Sequence, residues 1–310
     1  MNGRDGTLRG PGLAAAVLLA CLLAGCGGRA PAERGSRTLQ VFVSIPPQAY
    51  LAKRVGGNRV EVHTLLQPGD NPHTFNPTPK QVSMLADSDL YFTVGIGLET
   101  RIVERLSRYQ GLSVVDACRN IERRSMADPL SGRTHEGKKD PHTWLDPLLA
   151  ATQARNMCAA MKRQDAANAE FYEKNIAALR DDLERLNREV RAILEPVRGR
   201  RMFVFHPAYG YFADRYGLHQ VPVQQAGSTP GARHLSQIIK KGRKENVEAI
   251  FVQPQYSARQ ARAVAGAVGA EVVPLDPLAA DYPSNLKRMA RMVRRALGPE
   301  DAPSTGGRNE

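Results

Sequence analysis

The sequence predicts an α/β protein of two parallel-sheet lobes joined by one long, rigid α-helix. Three observations lead there. Runs rich in β-branched and aromatic residues alternate with helix-like spacing through the first half of the chain, the pattern of parallel α/β structure. The same alternation returns in the second half. Between the halves lies an amphipathic pattern far longer than an ordinary connection. At 310 residues and 42% hydrophobic content, the chain can bury a substantial core, most naturally as two domains.

Residues 1–25 stand outside that core. Arg4 and Arg9 precede an apolar run from Leu13 to Leu23, short for a bilayer span and of signal-peptide length. The run closes on Leu23-Ala24-Gly25-Cys26, which resembles the bacterial lipobox, in which the cysteine becomes the lipidated first residue. Residues 26–38, rich in Gly, Ala, Arg and Ser, read as a flexible tether. With Cys21 removed and Cys26 lipidated, Cys118 and Cys158 are the remaining thiols. Two cysteines permit one disulfide in an oxidising compartment, but sequence does not place them together, and they are too few for a zinc–thiolate site.

The first lobe is expected over 39–164, with strands at 39–45, 59–66, 90–94 and 112–116. Helical spacing falls at 48–55, 79–86 and 99–109, with Pro79 and Asp89 suiting element boundaries. The linking helix is assigned to 165–197. Its apolar positions Ile176, Leu179, Leu183, Leu186, Val190 and Ile193 alternate steps of three and four. About thirty residues make a rod on the order of 45 Å. A dimeric coiled coil is the alternative, but the stripe spans only about three heptads. The second lobe is expected over 198–298, with strands at 202–206, 220–224, 249–252 and 271–275. Its helices fall at 209–216, 232–245, 258–268 and 283–297, and 299–310 read as a disordered tail.

Four short stretches stand out against this scaffold. Gly69-Asp70-Asn71-Pro72-His73 and Asp140-Pro141-His142-Thr143-Trp144-Leu145-Asp146-Pro147 each frame a histidine with prolines, which lock φ and forbid helix immediately before them. Phe205-His206-Pro207 and Pro274-Leu275-Asp276-Pro277 repeat the device at the ends of predicted strands. In open parallel sheets, ligands bind outside the carboxyl ends of the strands. Three imidazoles and one carboxylate form a plausible four-ligand zinc set: His73, His142, His206 and Asp276. Asp140 or Asp146 suits the second ring nitrogen of His142. Trp144, the single tryptophan, suits an anchor for the segment. His63, His219 and His234 lack the proline frame and read as surface or core residues. Gly95-Ile96-Gly97 lacks the third glycine of a dinucleotide fingerprint and reads as a strand-to-helix turn.

With these four motifs in this order, and the long helix between the second and third, the chain resembles the metal-binding lipoproteins that feed zinc or manganese ABC importers. The resemblance runs from Leu39 to Leu297. It implies that His73, His142, His206 and Asp276 are the metal ligands, and that the protein captures metal between its lobes rather than catalysing a reaction. Manganese-type members usually carry Glu where His206 stands, and imidazoles favour zinc, so Zn2+ is the expected cargo, with Mn2+ the alternative. The implied partner is the ABC permease of a zinc uptake system, with a monomer held by lipid on Cys26 outside the cytoplasmic membrane or in the periplasm.

Two departures are visible. Zinc-type members often have a long His- and acid-rich loop before the second ligand, whereas 125–140 is ordinary in length and holds only His135. The family often has Glu in a Glu-Pro-Gln motif where this chain reads Gln253-Pro254-Gln255. The net charge of +12 spreads over helical faces without a dense aromatic–basic run, so nucleic acid is not an expected partner. Two readings from other classes are a zinc hydrolase, which needs an open coordination position and a general base, and a surface adhesin using the basic faces.

Overall fold

The computed structural model describes residues 37–106, 111–127, 134–224, 231–256 and 258–298. The expected signal peptide, Cys26, residues 26–36 of the tether and the tail lie outside the described residues, as does the side chain of His135. The first sheet is built from β1 (Leu39–Val43), α1 (Pro46–Gly56), β2 (Val60–Thr64), α2 (Pro79–Ala86), β3 (Leu90–Thr93), α3 (Gly97–Leu106) and β4 (Ser113–Asp116). Its four strands are parallel in the order β2-β1-β3-β4. A small antiparallel hairpin follows, β5 (Ser125–Ala127) with β6 (Thr134–Lys139), and then α4 (Pro147–Gln164).

The long helix is α5 (Ala169–Leu194), 26 residues with short 3-10 turns at either end. It leads into β7 (Arg201–Val204), α6 (Gly210–Tyr216), β8 (His219–Pro222), α7 (Ala232–Lys244), β9 (Ala249–Val252), α8 (Ala258–Val268), β10 (Glu271–Pro274) and α9 (Tyr282–Leu297). These strands are also parallel, in the order β10-β9-β7-β8. Read outward from its first strand, the second sheet has the connectivity of the first. Each reverses strand order once, between β1 and β3 and between β7 and β9, and such a reversal opens a crevice at the carboxyl ends of the strands.

Side-chain alternation explains how the second sheet is sandwiched. Along β7, Met202 and Val204 join the large core shared with α4, α5 and α9, while Phe203 falls into a smaller core with Ile238, Val264 and Ala265. Along β9, Ala249 and Phe251 face one way and Ile250 and Val252 the other. Strands buried on both faces read as nearly continuous apolar runs, as these do.

The stripe of α5 buries Leu179, Leu183, Leu186, Val190 and Leu194, with Ile176 and Ile193 packed at its margin. It is not a free-standing rod. α5 packs along α4, α1 and α9, and Tyr50 of α1 stacks on Tyr282 of α9 with ring centres 5.5 Å apart. The last helix thus ties the second half back to the first.

Candidate metal site

The cavity wall is assembled from both strand-order reversals. Ile45 follows β1, Gly95 to Gly97 follow β3, His206 and Ala208 follow β7, and Gln253, Gln255 and Tyr256 follow β9. His73 comes from the long connection after β2, and His142 from the turn before α4.

The three proline-framed histidines meet here. His206 and His73 have ring centres 5.0 Å apart and Nε2 atoms 3.5 Å apart. His142 lies 5.6 Å from His206. Two nitrogens bound tetrahedrally to one zinc ion stand about 3.3 Å apart, so the His73–His206 spacing is that of neighbouring ligands. Proximity is not yet coordination, however. Among the described residues, no three His, Cys, Asp or Glu side chains form a finished cage around one point. His73 is exposed on its loop.

The outer nitrogens of His142 and His206 are both engaged. His142 Nδ1 lies 2.7 Å from Asp140 Oδ1, which also accepts the His142 backbone N–H. His206 Nδ1 faces Gln224 Oε1 at 3.3 Å. A ring whose Nδ1–H is donated outward presents the Nε2 lone pair inward. Burial holds the pKa of His206 well below the ordinary histidine value, and its neighbours His142 and His73 push it the same way. Its imidazole is therefore neutral, the form that binds metal.

Asp140 is almost fully buried, and Gly210 packs so close that a Cβ there would come within 2.8 Å of its Oδ2. Replacing Asp140 by Asn keeps an acceptor but removes the charge that orients and strengthens His142. Zinc affinity is expected to fall about 10- to 100-fold, measured by chelator competition. Asp146, the other carboxylate considered for His142, is used elsewhere: it caps α4 through the Leu148 and Leu149 N–H groups and pairs with Arg215. Trp144 is buried, with its ring 5.2 Å from His142 and its Nε1 donating to the Pro277 carbonyl at 2.7 Å.

Asp276 sits after β10, but the cavity wall there is formed by Pro277 and Leu278. Its Oδ1 accepts from Gln255 Nε2 at 2.8 Å and from the Leu278 N–H at 2.9 Å. Tyr256, which the sequence did not single out, stacks on His206 with ring centres 4.8 Å apart. The available signal was its place just beyond Gln253-Pro254-Gln255 at a strand end. His63 and His234 bond elsewhere, to Gln40 and to the Val223 carbonyl. Cys118 and Cys158 are separate free thiols, and burial raises both to about 11.

The Val94–Gly97 turn beside the cavity is held from beneath by Glu99. This buried carboxylate accepts the N–H groups of Val94 and Gly95 and a short hydrogen bond from Ser44 Oγ. Desolvation lifts it from 4.5 to about 7, against the lowering pull of those donors. A carboxyl raised on folding binds more protons folded than unfolded in that interval, so its contribution to stability falls as pH rises from 4.5 to about 7. The change is on the order of 3 kcal/mol. Glu99→Gln should flatten that part of the stability–pH profile in urea titrations.

Two parallel-sheet lobes, a long helix between them and an imidazole-lined crevice at the strand ends define a two-lobed binding protein. The chain belongs to the family described as zinc-uptake complex component A periplasmic, ZnuA, whose model matches residues 41–296. It is similar to the high-affinity zinc uptake system protein ZnuA of Bacillus subtilis, with 28% identity over 84% of this chain and 87% of the relative. It is also similar to the manganese ABC transporter substrate-binding lipoprotein PsaA of Streptococcus pneumoniae, at 26% identity over 81% and 84%. Among solved structures, that of a ZnuA superposes with a TM-score of 0.78 at 35% identity, covering 84% of this chain and all of the other.

Proposed function

We propose that this protein captures Zn2+ outside the cytoplasm and delivers it to the permease of an ABC importer. The observation behind this reading is the meeting of three histidine rings at one cavity, with His73 and His206 Nε2 3.5 Å apart and the Nδ1 atoms of His142 and His206 engaged outward. His73, His142 and His206 are the proposed imidazole ligands, with Asp276 as the carboxylate. Three neutral imidazoles suit zinc better than manganese, which prefers more carboxylate oxygen. A relative named for manganese makes that the reading to test against. Lipid on Cys26 would hold the protein beside its permease, and loaded and empty forms would differ through the His73 loop. That loop reaches the second lobe, where Asn71 Nδ2 donates to the Gln255 carbonyl at 3.1 Å.

Elemental analysis of natively purified protein, followed by zinc–manganese competition on the metal-free chain, tests the proposal. About one zinc per chain, retained in excess manganese, is expected. Preferential manganese binding would overturn the choice of metal, and binding of neither would overturn the function.

A further inference from the structure

The positive charge of the chain is concentrated in its second lobe. Residues 198–298 hold 16 basic and 6 acidic side chains, a net +10 against +12 for the whole chain. The long helix α5 shows how the surface is built elsewhere. It interleaves 5 cations with 6 acids and pairs them, as in Arg180–Glu184 and Glu189–Lys287.

Two neighbouring helices of the second lobe depart from that pattern. α7 carries Arg233, Lys240, Lys241, Arg243 and Lys244, and α8 carries Arg259 and Arg262, with no acidic residue in either. Arg233, Lys240 and Lys244 follow at steps of seven and four, which puts them on one stripe of the helix, and all three are exposed. The opposite side of α7 buries Ile238 in the smaller core with Phe203 and Phe205. α8 buries Ala261, Val264 and Ala265 in that same core and leaves Arg259 and Arg262 exposed. Both helices therefore cover one face of the sheet and turn their cations outward together. They are locked as one plate. Gly242 lets them approach so closely that a Cβ there would stand 3.0 Å from Val268 Cγ1, and Arg243 Nε donates to the Ala267 carbonyl at 2.9 Å. Among the described residues, none of the seven cations forms an ion pair. Glu245 and Glu248, the acids that follow α7, are paired with Arg201 and Arg200.

Like charges gathered on one rigid face repel, and a partner with distributed negative charge relieves that repulsion. Resting on the proposed lipid-anchored location, we propose that the α7–α8 face lies on the anionic phospholipid headgroups of the membrane that holds the anchor. From Arg233 to Lys244 the stripe runs about 16 Å, far longer than one phosphate and matched to a plane of them. The expected tether, residues 26–38, reaches at most about 45 Å when extended, which keeps the face at high effective concentration near the bilayer. The metal crevice opens at the carboxyl ends of the strands, not on the face that these helices cover. Membrane contact thus leaves it open to incoming metal.

The test sediments vesicles with the chain from residue 26 onward, carrying Cys26→Ser so that no lipid is attached. One set of vesicles is phosphatidylcholine, and the other is an equimolar mixture with phosphatidylglycerol. Binding to the mixed vesicles only is expected, lost between about 0.1 and 1 M salt as the screening length falls from about 10 Å to about 3 Å. Each cation near an anionic surface contributes about fivefold, so Lys240→Glu with Lys244→Glu should weaken binding at least about thirtyfold. Arg291→Glu with Arg294→Glu makes the same change in net charge on α9, against the other face of the sheet, and should weaken it less than about threefold. Equal losses in the two double variants would make net charge the cause and overturn the inference. Equal binding to the neutral vesicles would overturn it too. So would binding of soluble polyglutamate without binding of the mixed vesicles, which assigns the face to an acidic protein. Circular dichroism checks the fold of each variant, and the lipid and salt dependence of the unaltered face stands without them. Zinc titration of the same samples reads the proposed zinc function separately, so either reading can fail alone.

Discussion

Replacing His206 by alanine is expected to lower zinc affinity by more than about a hundredfold, the largest effect of any single change at the site. Loss of a partner that merely orients a ligand costs about 10- to 100-fold, and loss of the ligand itself exceeds that. His206 is also the imidazole through which the others meet, with ring centres 5.0 Å from His73 and 5.6 Å from His142. It is the most deeply buried of the three. The fold should survive the substitution. The polar partners left behind are the Gln224 side chain and a weak contact to the His206 carbonyl, which alanine retains. Competition against a chelating dye, with circular dichroism as the control for folding, measures both halves of the expectation. Affinity within threefold of the unaltered protein would remove His206 from the ligand set.

Exposed His73 should give a smaller loss on substitution than His206. Its backbone N–H is held by Asn71 Oδ1 at 2.9 Å, and its loop reaches the second lobe through Asn71 Nδ2 on the Gln255 carbonyl. Asymmetry between two ligands of identical chemistry would mark the His73 loop as the part that moves when metal binds.

Much of this architecture was legible because its signals are local. α2 and α8 and the strand β9 fall where apolar spacing places them, since period and boundary residues coincide there. The proline-framed histidines were legible for a related reason: proline fixes the backbone regardless of tertiary context. Other features were not. α4 was not assigned from sequence, because its buried face is made of Ala150, Ala154, Met157, Ala160 and Met161, and alanine gives little contrast between faces. The β5–β6 hairpin lies in a stretch that reads as a polar loop, with no alternation to reveal it. Tyr256 escaped notice because its role is tertiary: nothing in a sequence says that a tyrosine after one strand stacks on a histidine after another. The choice between Asp140 and Asp146 was likewise undecidable, since both flank His142 and only the capping geometry of α4 occupies one of them.

Trp144 carries the largest expected effect on stability. The ring is 1% exposed in the main core, its Nε1 donates to the Pro277 carbonyl, and its own carbonyl accepts the Tyr282 hydroxyl at 2.6 Å. Those two partners belong to the end of the second lobe and to α9, so one residue of the first lobe closes the structure against its last quarter. Trp144→Ala removes the apolar area, opens a cavity and leaves the Pro277 carbonyl without its donor. Such substitutions cost about 3–5 kcal/mol, which in a chain of this size lowers the thermal midpoint by about 10 °C. Zinc affinity should fall as well, because the His142 ring loses the surface it rests on and Pro277 loses the contact that positions it in the cavity wall. Trp144→Phe separates the two contributions. It retains most of the packing but not the N–H, so the midpoint should recover by more than half while the binding defect persists. Scanning calorimetry with and without zinc reads both, since zinc raises the midpoint only as far as the variant still binds it. A midpoint within 2 °C of the unaltered protein for Trp144→Ala would mean that the lobes are held together by α5 and α9 alone.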